Sequence, residues 1–361
     1  MKLAVIFGGK SSEHDISIIT GVMAVNAASV RHEVIPVYIT RSGEMISGKH
    51  FDKVETFRGE VKGKRVNFIP GSGGMTVGNK FIRPDCVINA CHGHGGEDGS
   101  LSGLLELADI PYVGSGVRAS AIGMDKMLFK QVMKDCGLPI LPYFGISRYE
   151  YANVDFDISA KANELGFPLI VKPCNLGSSI GIGIAEDYRR LFILLDGAFM
   201  WDQRVVVEKA LSNFTEVNCA VLGYDDIISC SEVEQPVGFK EFLSFDDKYC
   251  RSIKTEVRKM PADLPDDVRM KIRDLAASVF KAVGCSGIAR VDFLVDGDNI
   301  YVNEINTIPG SLSEYLFAYS GVTFTELIDK LVTDAIKVKK NKDSLKYCYE
   351  SNVLKDKKIC K

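Results

Sequence analysis

No stretch of this chain is apolar for long enough to span a bilayer, and the first apolar run, Leu3 to Phe7, is too short for a signal-peptide core. A membrane partner is not expected, and a cytoplasmic location follows by default. Neither sign of charge is in excess: 44 Lys and Arg stand against 47 Asp and Glu, a net charge of −3. That balance gives no reason to expect nucleic acid or an anionic surface as a partner. Histidine is scarce, at five residues, so His92-x-His94 has no further His or Cys at ligand spacing and makes a poor zinc site. The ten cysteines form no CxxC pair. Several, such as Cys86 and Cys219, sit in apolar strand-like runs, where a reduced thiol acts as a small hydrophobe. This speaks for a reducing compartment and against a disulfide framework. There are no internal repeats.

What is present is an ordinary globular balance, 46% apolar and 25% charged, in 361 residues, enough for two or three domains. Leu3 to Phe7 reads as a buried strand that runs into Gly8-Gly9-Lys10-Ser11-Ser12-Glu13. Apolar spacing at Ile16, Ile19, Val22 and Val25 then gives a helix, and Glu33 to Ile39 a second strand. This βαβ unit predicts a parallel sheet. The polar, Gly-rich stretch 41–82 holds only short strands and loops. Cys86 to Ala90 is another strand, ending in Cys91-His92-Gly93-His94-Gly95-Gly96-Glu97-Asp98-Gly99, where Glu97 and Asp98 read mainly as charges at a helix N-terminus.

Further on, Met124-Asp125-Lys126 opens a helix with Leu128, Phe129, Val132 and Met133 on one side. Pro168 to Pro173 is a strand carrying Lys172, followed by Gly177-Ser178-Ser179-Ile180-Gly181-Ile182-Gly183. Small residues and glycines there offer backbone N–H groups and hydroxyls to phosphate oxygens, although the segment is not a Walker A loop. Residues 242–262 read as a long polar loop centred on Lys248-Tyr249, a length that is usually functional or disordered. Pro265 starts a helix that Gly284 ends, and a last helix carries Phe324, Leu327, Ile328, Leu331 and Ile336. From Lys337 onward nine Lys against three acids, with few apolar positions, read as a frayed or disordered tail.

The stretch Gly287 to Ser311 is the most informative. Ala289 to Val295 and Ile300 to Ile305 read as two strands joined at Asp296-Gly297-Asp298. Side chains alternate faces along a strand, so Arg290 shares a face with Asp292, and Glu304 with Asn306. If the strands pair in register, two carboxylates, an amide and a guanidinium converge. Oxygen donors without His or Cys suit Mg²⁺ before Zn²⁺, and Mg²⁺ on so few protein ligands takes water and phosphate as well. The same residues also suit an exposed hairpin whose polar groups face water.

In order along the chain, GG-x-S-x-E (ending at Glu13), HG-x-GGEDG (from His92), GSGV-x-AS, MDK, GSS-x-G, Lys248-Tyr249, RVD (290–292) and NE-x-N (303–306) are jointly specific, though each is weak alone. Together they resemble the D-alanine–D-alanine ligase family of the ATP-grasp superfamily, over roughly residues 1 to 336. The resemblance implies an α/β fold, with an N-terminal parallel-sheet, Rossmann-like domain (1–115) followed by a two-lobed ATP-grasp fold (116–208 and 209–340) and a tail (341–361). It implies ATP and two Mg²⁺ ions, with Mn²⁺ as a substitute, as cofactors, D-alanine as substrate, a role in peptidoglycan precursor synthesis, and a homodimer.

The residue roles it implies are these. Glu13 and His92 lie at the first D-alanine. Lys126, Lys172, Ser179, Glu208, Lys209, Leu211, Glu216 and Lys248 contact the nucleotide. Asp292, Glu304 and Asn306 hold metal. Glu13, Ser178, Tyr249, Arg290 and Gly310 belong to the catalytic set, the last two at an oxyanion. The lid loop at 242–262 closes over the site, with Lys248 on the transferred phosphate and Tyr249 at the substrate pocket. One departure stands out. Where many relatives have a Ser for the second substrate's carboxylate, this chain has Tyr315, and Tyr315 and Leu316 are the residues the resemblance places at the substrate. D-Serine or D-lactate as acceptor is the alternative. Two rivals are a ligase with a different acceptor, which should lack the Glu13 and His92 pair, and a non-catalytic ATP-binding regulator, which should lack Arg290, Lys248 or a metal ligand; all are present.

Overall fold

The computed structural model describes residues 1–153, 156–237 and 257–349. Leu3, Val5 and Phe7 alternate with Ala4 and Ile6 along the strand Lys2–Gly8, and all five are fully buried. A strand buried on both faces needs cover on both. The helices His14–Ser29 and Phe324–Asp343 supply it on one face, and Ser100–Leu107 on the other. The strand pairs in parallel with Glu33–Ile39 and Cys86–Asn89, and the latter with Tyr112–Val113. The expected parallel unit is therefore there. The stretch 41–82 extends it with four antiparallel strands, Met45–Ser47, Lys64–Ile69, Gly74–Val77 and Lys80–Ile82, to make a mixed eight-stranded sheet. Connections this short permit antiparallel neighbours, whereas parallel ones need a crossover.

The first helix is turned slightly from the face its apolar spacing suggests. Ile18, Val22 and Val25 are buried, while Ile19 is 43% exposed. The cause is polar: Ser17 Oγ accepts from Gly8 N–H at 2.7 Å and donates to the Ala90 carbonyl at 2.7 Å, which draws that side of the helix onto the sheet.

A second sheet holds Tyr143–Ser147, Leu169–Pro173, Gly183–Ala185 and Arg204–Lys209, all antiparallel. Leu169, Val171, Val205 and Val207 face a core with Leu191 and Leu195 of the helix Tyr188–Ala198. By alternation, Lys172 and Glu208 point to the opposite face. A third sheet is built from Thr215–Tyr224, Ile227–Cys230, Ser286–Asp296 and Asn299–Asn306. Its Val217, Cys219, Val291 and Phe293 pack on the helix Asp266–Val283, which leaves Arg290 and Asp292 on the free face.

The last helix runs to Asp343, not to the Lys337 boundary that composition suggests. Its lysines are not idle: Lys339 meets Asp109 at 2.8 Å and Lys342 pairs with Glu106 of the helix Ser100–Leu107. The end that reads from sequence as frayed or disordered is, as far as Asp343, a helix held by these contacts. Among the described residues no helix is long and apolar enough to cross a membrane.

Candidate active site

The hairpin pairs Arg290 with Asn306 and Asp292 with Glu304, so all four lie on one face. Between Asp292 and Phe293 the register slips by one residue, and Asn303 is the extra residue of the bulge. Arg290 donates to both Asp292 oxygens, at 2.7 and 2.8 Å, and Asn306 Nδ2 donates to Asp292 Oδ2 at 3.0 Å. Such a forked pair holds the Asp292 carboxylate in one orientation. Among the described residues no cluster of three His, Cys, Asp or Glu side chains can hold a metal. Two carboxylates and an amide, all oxygen donors, nevertheless fit Mg²⁺, which keeps water and takes phosphate oxygens.

Cations face this hairpin. Lys126 Nζ lies 3.8 Å from Glu304 and donates to the Leu176 carbonyl at 2.6 Å. Lys172 Nζ donates to Asn303 Oδ1 at 3.2 Å and to Glu208 Oε2 at 3.1 Å, so the bulge joins the hairpin to the second sheet. Burial alone would raise the Glu208 carboxyl, but Lys130 and Lys172 hold it below the usual carboxylate value. Lys130 went unnoticed in the sequence. A signal was there, because it stands on the buried face of its helix between Phe129 and Met133.

At the other end, Glu13 accepts from Ser178 Oγ, which ties the turn before the helix His14–Ser29 to the Gly-rich loop. Two glycines make room for it. A Cβ on Gly93, at φ +69°, would lie 2.7 Å from Glu13 Oε2, and one on Gly177 would lie 2.9 Å from it. Ser178 and Ser179 take φ of +54° and +58°, left-handed values that are uncommon outside glycine.

His92 is 4% exposed, and both its nitrogens are engaged. Nδ1 lies 2.7 Å from the Ile308 carbonyl, which can only accept, so Nδ1 carries the proton. Burial pulls the ring below the usual histidine value, against the nearby Glu13 carboxylate, so Nε2 is an acceptor. Thr20 Oγ1, 2.8 Å away, therefore donates to it and accepts the Ser311 N–H at 3.0 Å. Glu97, read in the sequence as a helix-terminal charge, instead accepts from Gly93 N–H at 2.7 Å and Ile308 N–H at 3.0 Å. Burial, with Glu13 close by, pushes its carboxyl up to about 8.

These bonds pin a loop in which Ser311, Leu312 and Ser313 all have φ near +50°, a run whose cost the surroundings must offset. Thr20→Val removes both hydrogen bonds with little change in volume. We expect about a tenfold loss in kcat/KM, the equivalent of about 1.4 kcal/mol, with the KM for nucleotide unchanged; an unaltered steady-state rate would show that Thr20 does not hold the loop.

Tyr315 OH donates to Glu234 Oε2 at 3.2 Å, and the Arg258 guanidinium sits 4.1 Å above its ring centroid. Burial pushes the phenol up to about 12, so it keeps its proton at neutral pH. Leu316 does not line a pocket through its side chain, which is fully buried with Leu312 and Leu327 in the core under the first sheet. Lys209 turns its ammonium to the Gly166 and Phe167 carbonyls, at 2.9 and 2.8 Å, and its backbone N–H donates to the Pro142 carbonyl at 3.0 Å. Leu211 follows that strand, and Glu216 lies near the start of the next, opposite Leu294. Gly310 opens the left-handed loop. Lys248 and Tyr249 lie outside the described residues.

Comparisons with known proteins bear on the family and the fold. Residues 2–115 match the family model "D-ala D-ala ligase N-terminus" and residues 132–333 match "D-ala D-ala ligase C-terminus". A D-alanine–D-alanine ligase from Caldicellulosiruptor bescii is 39% identical, covering 97% of this chain and 99% of that protein. One from Thermosipho africanus is 36% identical, covering 98% of each. The structure of the D-alanine–D-alanine ligase from Coxiella burnetii superposes with a TM-score of 0.81 at 28% identity, covering 95% of this chain and 96% of that one. The VanG D-Ala:D-Ser ligase from Enterococcus faecalis superposes at 0.79 with 30% identity, covering 92% and 99%. By its sequence over nearly its whole length, and by its fold, the chain belongs to the D-alanine–D-alanine ligase family.

Proposed function

We propose that this enzyme joins the carboxylate of one D-alanine to the amine of a second, using ATP and releasing ADP and phosphate. The observation that carries the reading is the hairpin face: Arg290, Asp292, Glu304 and Asn306 converge there, with Lys126 and Lys172 directed at it. Mg²⁺, two ions in this reading, when held by Asp292, Glu304 and Asn306 neutralises charge on the phosphates. Lys126 and Lys172 bind and orient the phosphate chain. Glu13 holds the ammonium of the first D-alanine, and Ser178 holds Glu13.

The first D-alanine's carboxylate attacks the γ-phosphorus. The bond from that phosphorus to the β-bridging oxygen breaks, ADP leaves, and an acyl phosphate remains. The neutral amine of the second D-alanine then attacks the acyl carbon, a C–N bond forms, and phosphate leaves. Arg290 and the Gly310 N–H stabilise the oxyanion between those events. The reading includes a homodimer and a place in peptidoglycan precursor synthesis.

A second reading, with D-serine as acceptor, is favoured by Tyr315 at the acceptor position and by the likeness to a D-Ala:D-Ser ligase. One competition assay decides between them. With D-alanine, D-serine and D-lactate together, product masses between about pH 6 and pH 9 should show mainly D-alanyl-D-alanine, rising with pH as the attacking amine loses its proton. Predominant D-alanyl-D-serine would transfer the choice to Tyr315, and predominant D-alanyl-D-lactate at neutral pH would overturn the amine acceptor.

A further inference from the structure

Lys130 has no part in the reaction derived above, yet it is only 1% exposed. A buried ammonium is costly unless it is paired. Its Nζ lies 3.2 Å from Glu208 Oε2 and 5.6 Å from the ring centroid of Tyr143, the residue opposite Glu208 in the neighbouring strand. Lys172 reaches the same Oε2 at 3.1 Å. One oxygen of Glu208 thus faces two cations, accepting a hydrogen bond from Lys172 and lying at ion-pair distance from Lys130, while Oε1 and Lys130 Nζ are both buried with no hydrogen-bond partner among the described residues. Lys172 alone would balance the Glu208 charge. The second lysine is therefore superfluous for neutrality, but it fixes which oxygen faces the cations and which is left over. A buried carboxylate oxygen without a donor is costly until a donor arrives.

We propose that Lys130 is a positioning residue for the nucleotide base: by holding Oε2 it keeps Oε1 as the acceptor for an exocyclic amine, so that the site selects a 6-aminopurine over a 6-oxopurine triphosphate. The selectivity follows from donor and acceptor inventory. An amino group donates to Oε1, whereas a 6-oxo group sets an acceptor against an acceptor. This inference rests on the reading of Glu208 and the residues after it as the base site.

The test uses the full-length enzyme, with kcat/KM measured for ATP and for GTP at saturating D-alanine. Lys130→Met leaves Glu208 paired with Lys172 and so strands no buried charge. The ATP preference should fall by about tenfold or more, through the KM for ATP, while the KM for D-alanine stays within about twofold. Lys130→Arg, which keeps the charge, should retain most of the preference. An unchanged ATP:GTP ratio in Lys130→Met, with a lowered melting temperature only, assigns Lys130 to stability and overturns the inference. If Lys130→Met does not fold, the pair Glu208→Gln and Glu208→Gln/Lys130→Met decides: equal ratios support action through Glu208, and a further fall in the double variant overturns it. A wild-type enzyme without ATP preference instead rejects the base-site reading itself.

Discussion

Asp292→Asn or Glu304→Gln should lower turnover by about 10³-fold or more. Each removes one of two carboxylates from a set whose third donor is a neutral amide. The electrostatic stabilisation that such a metal site gives a transferring phosphoryl group is several kcal/mol, and about 4 kcal/mol corresponds to about 10³ in rate. The two variants should differ in one respect. Asp292 also accepts both arms of the Arg290 fork, so Asp292→Asn, which keeps one acceptor oxygen, breaks one arm of that fork as well, whereas Glu304→Gln leaves the pair intact. Coupled ADP-release assays across a range of Mg²⁺ concentrations check this. Near-normal turnover at low Mg²⁺ in either variant would mean that the hairpin does not hold the metal.

Arg290→Met should lower the rate of dipeptide formation by about 10²- to 10³-fold, the usual cost of removing one oxyanion donor. The loss should fall on the second chemical step. Single-turnover formation of ADP should survive better than formation of dipeptide, and the KM for ATP should change little. Arg290→Lys keeps a charge but cannot reproduce the two bonds to Asp292 at 2.7 and 2.8 Å, so it should rescue only partly. If ADP formation and dipeptide formation fall together with a weakened KM for ATP, Arg290 serves the phosphates and not the acyl centre. Asp292 is buried, and losing its partner also costs stability. A melting curve separates that loss from the catalytic one.

Much of this protein was legible in its residues because the signals are local. Strand alternation alone puts Arg290 on one face with Asp292 and Glu304 on one face with Asn306, and a turn at Gly297, which takes φ +57°, reverses the chain; that turn by itself would set Asp292 opposite Asn303, and only the bulge at Asn303 brings the two pairs opposite each other. The Gly-rich loop after Lys172 and the turn before Glu13 were visible for the same reason: glycine and serine in a short window restrict what the backbone is for.

The remainder depends on contacts between residues far apart in the chain, and no local pattern reports those. Glu97 lies at a helix start, where a capping charge is the ordinary reading; only the fold brings it to the Ile308 N–H, 211 positions away. His92 looked like a substrate contact, and only the tertiary structure fills both of its nitrogens, through Thr20 and Ile308. A lysine-rich end reads as frayed or disordered until Asp109 and Glu106 are placed beside it. Lys130 carries the same lesson inward. Its sequence neighbours mark the buried face of a helix, but the carboxylate that makes a buried ammonium tolerable comes from a strand of the second sheet. Sequence by itself determined which groups this chain can bring to a phosphate and a metal, because side-chain chemistry and strand alternation are properties of a few consecutive residues. Tertiary structure alone decided which of those groups are occupied in holding loops and which are turned to a ligand, because burial and pairing are set by whatever the rest of the chain packs against them.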